Sequence, residues 1–219
     1  MKLNTKLGWM ISTAAISLGL ALSAGAQTSD VAVSSATIDP ASLGLLGSSY
    51  SAFNLRYTDI DGGSPTAMRG VGLQLNQAWR PGIDFQVNYD WGRATAGPIR
   101  VTYQDLNTGV TVFSKLDWGK PFVQALAGWE WRRGLPALGN SFAYNLGTGV
   151  ELQLSPRFAL TPSMSFVRAT GVNRSEVDYA LKGTYRVNRQ WSVSAAAQYD
   201  SVYHKADAKV YTLGVNYHY

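Results

Sequence analysis

The chain has 219 residues, of which 46% are apolar, 12% aromatic and only 15% charged, against about 25% charged in an average soluble domain. Such a composition excludes a disordered chain, and the absence of Cys excludes disulfide scaffolds, thiolate metal centres and cysteine nucleophiles. The net charge of +5 comes without basic clusters, so no nucleic-acid partner is expected; with only His204 and His218 available, no metal or other cofactor is expected either.

Lys2 and Lys6 precede an apolar run from Leu7 to Leu22, and the small residues Ala24, Gly25 and Ala26 follow it. This is the pattern of a secretory signal peptide, cleaved after Ala26. A membrane anchor fits less well, because the run falls short of the roughly 20 residues of a spanning helix and is broken by Ser12, Thr13 and Ser17. Residues 27–48 are poor in charge and rich in Ser and Ala, which predicts a flexible lead; Asp39 and Pro40 could start a short helix there. A single domain is expected from residue 49 to 219.

That domain repeats one pattern. Ile83, Phe85, Val87, Tyr89 and Trp91 alternate with Asp84, Gln86, Asn88 and Asp90, so a strand here has one apolar and one polar face. Val71, Leu73 and Leu75 alternate in the same way with Gly72, Gln74 and Asn76, and Val177, Tyr179 and Leu181 with Asp178, Ala180 and Lys182. Trp79, Trp91, Trp118, Trp129, Trp131, Trp191, Tyr217 and Tyr219 fall at segment ends, the place where a lipid-facing strand meets headgroups. The segments are long enough to cross a bilayer, for which a tilted strand needs about 9 to 11 residues. We therefore expect an all-β fold, a transmembrane antiparallel up-and-down barrel whose closure satisfies every backbone amide in lipid.

Ten strands are expected, near 50–58, 67–79, 83–93, 110–118, 122–132, 141–154, 157–168, 176–187, 191–202 and 208–219; eight and twelve are also compatible with the pattern. Ile99 to Tyr103 is read as a hairpin arm within a long loop from Arg93 to Gly109, and Pro162 as the site of a bulge or local disorder. Tight turns at Arg80–Gly82, Gly119–Pro121, Ser155–Pro156 and Asn188–Gln190 alternate with longer loops, and such barrels keep short turns on the periplasmic side.

The signal peptide, the alternating hairpins, the Gly119-Lys-Pro-Phe122 turn and the last segment, Tyr211 to Tyr219, together resemble the small outer-membrane β-barrel proteins of Gram-negative bacteria, the OmpA-like and related eight- to ten-stranded group. The resemblance implies an outer-membrane location and contact with outer-membrane lipid. It also implies recognition by the outer-membrane assembly machinery through Tyr211, Leu213, Val215, Tyr217 and Tyr219, although that group usually ends in Phe. A monomer is expected.

A barrel of this size has an interior that side chains can fill. The polar face offers Asp84, Asp90, Asp117, Glu130, Glu151, Asp178 and Asp200 against Arg56, Lys115, Arg132, Lys182 and Arg186, and these are expected to pair into a network that plugs the lumen. The function expected is structural or surface-interacting and not enzymatic; a small porin or transporter for ions or small solutes is the alternative. Asp59 and Asp61 with Asp200 and His204 are similar to the paired carboxylates and Asp–His of the omptin surface proteases, but with a different spacing. No His has Ser two residues on, as barrel deacylases do.

Overall fold

The computed structural model describes residues 44–60, 66–96, 99–134, 139–171, 174–202 and 207–219. The predicted signal peptide, most of the lead, Asp61 and His204 lie outside the described residues. Ten strands follow one another: β1 (Tyr50–Ile60), β2 (Thr66–Arg80), β3 (Ile83–Ala96), β4 (Ile99–Phe113), β5 (Lys120–Arg133), β6 (Ser141–Ser155), β7 (Phe158–Ala169), β8 (Arg174–Arg186), β9 (Trp191–Val202) and β10 (Ala208–His218). Each pairs antiparallel with its neighbours in sequence, and β1 closes on β10 through an unbroken register from Tyr50↔His218 to Ile60↔Ala208. The backbone is thus a closed barrel with no sheet edge, the form that leaves no ladder amide unsatisfied in lipid.

Side chains are distributed the opposite way from a soluble protein. Leu55, Leu73, Leu146, Leu181, Leu213 and Val215 face out and are exposed, or nearly so, whereas Asn54, Gln74, Asn88, Asn145 and Asp178 face in and are buried. Trp79, Trp129 and Trp191 are exposed near strand ends, and Trp191 stacks on Tyr217 at a centroid distance of 5.0 Å. This is the partition a bilayer imposes: hydrocarbon outside, polar groups satisfied inside. No helix among the described residues is long and apolar enough to cross a membrane; the strands make the crossing.

Two sequence expectations need correction. Ile99 to Phe113 is one continuous strand and not a loop with a hairpin arm, and its register with β3 runs unbroken from Ile83↔Val112 to Ala96↔Ile99. Asp105, Asn107 and Gly109 resemble turn formers, but all three occupy lumen-facing positions, where polar and small residues belong. A Cβ at Gly109 would overlap Ala125 O on β5, so the strands need glycine to approach there. As a result β4 ends at Phe113, and Ser114 to Gly119 form the connection to β5, held by Ser114 N–H to Pro121 O at 3.1 Å and the Leu116–Gly119 bridge.

Pro162 sits within β7 without shifting the register. Gly149↔Ser163 and Leu152↔Leu160 keep one alignment while the pairs between them are lost, as expected where a ladder donor is missing. The register shifts lie elsewhere, at Ala78/Arg80 and Gln153/Ser155, beside the turns at one end of the barrel. That end, which also holds both strand termini of the β1–β10 closure, is called the turn end below. The opposite one is the loop end.

Candidate functional site

Among the described residues, polar contacts gather at both ends of the lumen. At the turn end, Gly44 to Ser48 fold into the barrel mouth. The N–H groups of Leu45 and Leu46 donate to Glu151 Oε2 at 2.7 and 3.2 Å, and Gly47 N–H donates to Asp84 Oδ2 at 2.8 Å. Lys120 Nζ then donates to Leu46 O at 2.8 Å and to Glu151 Oε1 at 2.9 Å, so one lysine clamps both the turn and its acceptor. Asn76 Nδ2 donates to Ser48 O and to Asp84 Oδ2. Gly44 and Gly47 have φ of 97° and 80°, which lets successive N–H groups point at the carboxylates; a Cβ at Gly44 would collide with Glu151. Leu45 buries itself against Tyr50 and Ala52.

At the loop end, Glu130 is fully buried and accepts from Arg132, from Ser141 Oγ at 3.2 Å and from Arg174 Nη2 at 2.8 Å. Arg174 also lies 3.3 Å from Glu176 Oε1. One level deeper, Arg56 Nη1 donates to Asp90 Oδ2 at 2.8 Å, Asn107 donates to Asp105, and Ser165 Oγ donates to Asp178. Arg56, Arg132 and Arg174 face carboxylates here, which offsets their desolvation, whereas Asp105 and Asp178 are met by a neutral amide and a hydroxyl. Between the two layers lies a polar chamber of about 200 Å³, lined by Asn54, Gln74, Gln124, Thr148, Lys182 and Gln198 among others. Lys182 makes no hydrogen bond or ion pair among the described residues and faces this space.

Of the residues expected in the lumen, Arg56, Asp84, Asp90, Glu130, Arg132, Glu151, Asp178, Lys182 and Asp200 face inward, and Arg186 is part-buried near the turn end. Lys115 and Asp117 do not: both are exposed in the β4–β5 connection, because β4 stops at Phe113 and the alternation that placed them inside runs on into the turn. Asp105, Lys120, Arg174 and Glu176 were missed. Parity would have found two of them, since Glu176 continues the series Asp178, Ala180, Lys182 and Arg174 extends it once more.

The omptin-like quartet is not assembled among the described residues. Asp59 alternates with the buried Thr58 and Ile60 and so lies on the outer face, while Asp200 is buried in the lumen and accepts from Gln198 Nε2 at 2.7 Å. The barrel wall separates them. A pair that the sequence did not suggest does form: Ser192 Oγ lies 2.8 Å from His218 Nε2 across β9 and β10. Asn216 Nδ2 also donates to Ser192 Oγ at 3.1 Å, His218 Nδ1 meets no carboxylate, and Ser192 has no exposed surface. The pair therefore ties β9 to β10 and offers no accessible nucleophile. No group of acids and His among the described residues could hold a metal.

No protein-family model matches the sequence, and no curated protein matches it either. Solved structures do. An outer-membrane channel from Pseudomonas putida F1 is similar over 84% of this chain and 100% of its own, with a TM-score of 0.55 and 9% identity. The translocator domain of the autotransporter NalP from Neisseria meningitidis covers 82% of this chain and 91% of its own (TM-score 0.44, 12% identity), and the attachment invasion locus protein Ail of Yersinia pestis covers 78% and 97% (TM-score 0.37, 12% identity).

Proposed function

We propose that this chain, a Gram-negative outer-membrane β-barrel by its fold and its apolar exterior, serves as a closed scaffold that presents its loop end to partners and conducts nothing through its lumen. The observations that support this reading are two sets of buried polar contacts, one at each end of the lumen. The Gly44–Ser48 turn is fastened by Glu151, Asp84 and Lys120 at one end, and Glu130, Arg132, Arg174 and Glu176 meet at the other. A solute would have to break buried ion pairs at one mouth and displace a hydrogen-bonded chain segment at the other. We propose no enzymatic activity; among the described residues, Asp59 and Asp200 lie on opposite sides of the barrel wall and Ser192 and His218 are buried together. The last strand, with Tyr211, Leu213, Val215, Tyr217 and Tyr219 facing out, is proposed as the segment that the assembly machinery recognises, and the barrel is proposed to act as a monomer.

A small porin or transporter is the second reading, and the polar chamber beside Lys182 favours it. In both readings the loop end faces the cell exterior. Trypsin added to intact cells should therefore spare the exposed Arg157 and Arg189 at the turn end. Cleavage at Arg189 in intact cells would reverse the orientation.

A further inference from the structure

Asp178 on β8 and Asp200 on β9 stand directly opposite each other in the antiparallel pairing of those strands. Both face the lumen, at 2% and 0% exposure. Each has one oxygen served by a neutral donor: Ser165 Oγ on β7 donates to Asp178 Oδ2 at 3.3 Å, and Gln198 Nε2 on β9 donates to Asp200 Oδ1 at 2.7 Å. The other two oxygens, Asp178 Oδ1 and Asp200 Oδ2, are buried with no donor among the described residues. Yet the two side chains lie within hydrogen-bonding reach of each other. Ionised carboxylates can only accept hydrogen bonds, and like charges directly opposite on a sheet repel. Two full carboxylates would be pushed apart here.

The surrounding elements do not supply the missing charge. On β8, Glu176 adds a third carboxylate one side-chain step toward the loop end, and Arg174 beyond it pairs with Glu130 and Glu176. Lys182, two steps the other way, faces the polar chamber. On β5, Arg132 pairs with Glu130, and on β1, Arg56, whose charge reaches Asp200, pairs with Asp90. On β10 the residue opposite Asp200 is Ala208. Neither Asp178 nor Asp200 makes an ion pair among the described residues. No third acid or His joins them in a group that could hold a metal ion. A single proton is the counter-charge that fits, because one carboxyl then donates to the empty oxygen of the other and satisfies both.

We propose that Asp178 and Asp200 share one proton at neutral pH and form a pH-sensitive latch between β8 and β9, one level below the Glu130 cluster. The proton belongs to the pair and not to either residue. Its loss sets two charges face to face in a buried site, so the hold of β8 on β9 weakens at the loop end as pH rises. The latch requires the burial of the two carboxylates and not a lumen that conducts nothing, so conductance does not decide it.

The test is urea unfolding of the refolded wild-type barrel and of the variants Asp178→Asn and Asp200→Asn, across about pH 5.5 to 8. In either variant an amide donates to the remaining carboxylate, and no proton is needed. The folded wild type holds one proton that the unfolded chain, whose aspartates ionise near pH 4, has given up. The stability this contributes is present at the acid end of the range and lost toward the alkaline end. For each pH unit, the unfolding constant of the wild type should rise about tenfold more than that of either variant. The same pH dependence in wild type and variants would overturn the proposal. So would stabilisation of the wild type alone by added calcium ion, which would put a cation in the place of the proton. Should neither variant fold, carbon-13 NMR of the wild type labelled at its aspartate carboxyls decides. Two carboxyl signals that shift together across the same pH range support the shared proton, and the absence of such a pair overturns it.

Discussion

Replacing Glu130 by Ala should lower the unfolding free energy by about 3 to 5 kcal/mol, the usual cost of removing one partner from a buried ion pair. Glu130 is fully buried and is the carboxylate that Arg132 and Arg174 share. Without it, two guanidinium groups at zero solvent exposure lose their common counter-charge. The cost arises from leaving charge behind, so the quadruple variant Glu130→Leu, Arg132→Met, Arg174→Met, Glu176→Leu, which removes the paired Glu176 as well, should recover much of the loss. Urea unfolding of the refolded barrel, followed by tryptophan fluorescence, measures both. An unchanged midpoint for Glu130→Ala would mean that the loop end is hydrated and open, and the proposed closure would fall with it.

Leu181→Arg should cost about 2 to 4 kcal/mol, whereas its neighbour Lys182→Gln should cost little. Leu181 lies near the middle of β8 and is 49% exposed on the outer face, in the band that lipid covers. Lys182 points into the polar chamber, where an amide is at least as well accommodated as an ammonium. The contrast between adjacent residues reports the register directly, because a slip of one position exchanges the two faces. Equal stability of the two variants in refolding titrations would show that β8 is placed one residue out.

The outer surface of this barrel was legible because a bilayer and a polar lumen write opposite chemistries onto alternate residues. Leu181 and Lys182, or Asn88 and Tyr89, declare their sides by type alone. Legibility failed where one residue type serves two purposes. Asp105, Asn107 and Gly109 suit a turn as well as a lumen, and only the pairing of β4 with β3 and β5 decides between them. The same ambiguity hid Lys120, which follows a glycine and precedes a proline yet opens β5 with its ammonium on Glu151.

The insertion of Gly44–Ser48 was not legible at all, since it depends on Asp84 of β3 converging on one mouth with the cross-strand pair Lys120 and Glu151 of β5 and β6. Two glycines bracketing two leucines were the local trace of it. The Ser192–His218 pair was invisible for a related reason: the residues are 26 positions apart and meet through the register of β9 with β10.

Single-channel recording in planar bilayers tests the central claim most directly, because the closed lumen proposed for this barrel would have no continuous water path. The wild-type barrel, inserted and shown to be folded by gel mobility, should give no stable openings at any voltage the bilayer tolerates. Reproducible openings of a single size from the wild-type protein would contradict the closed lumen and establish the pore.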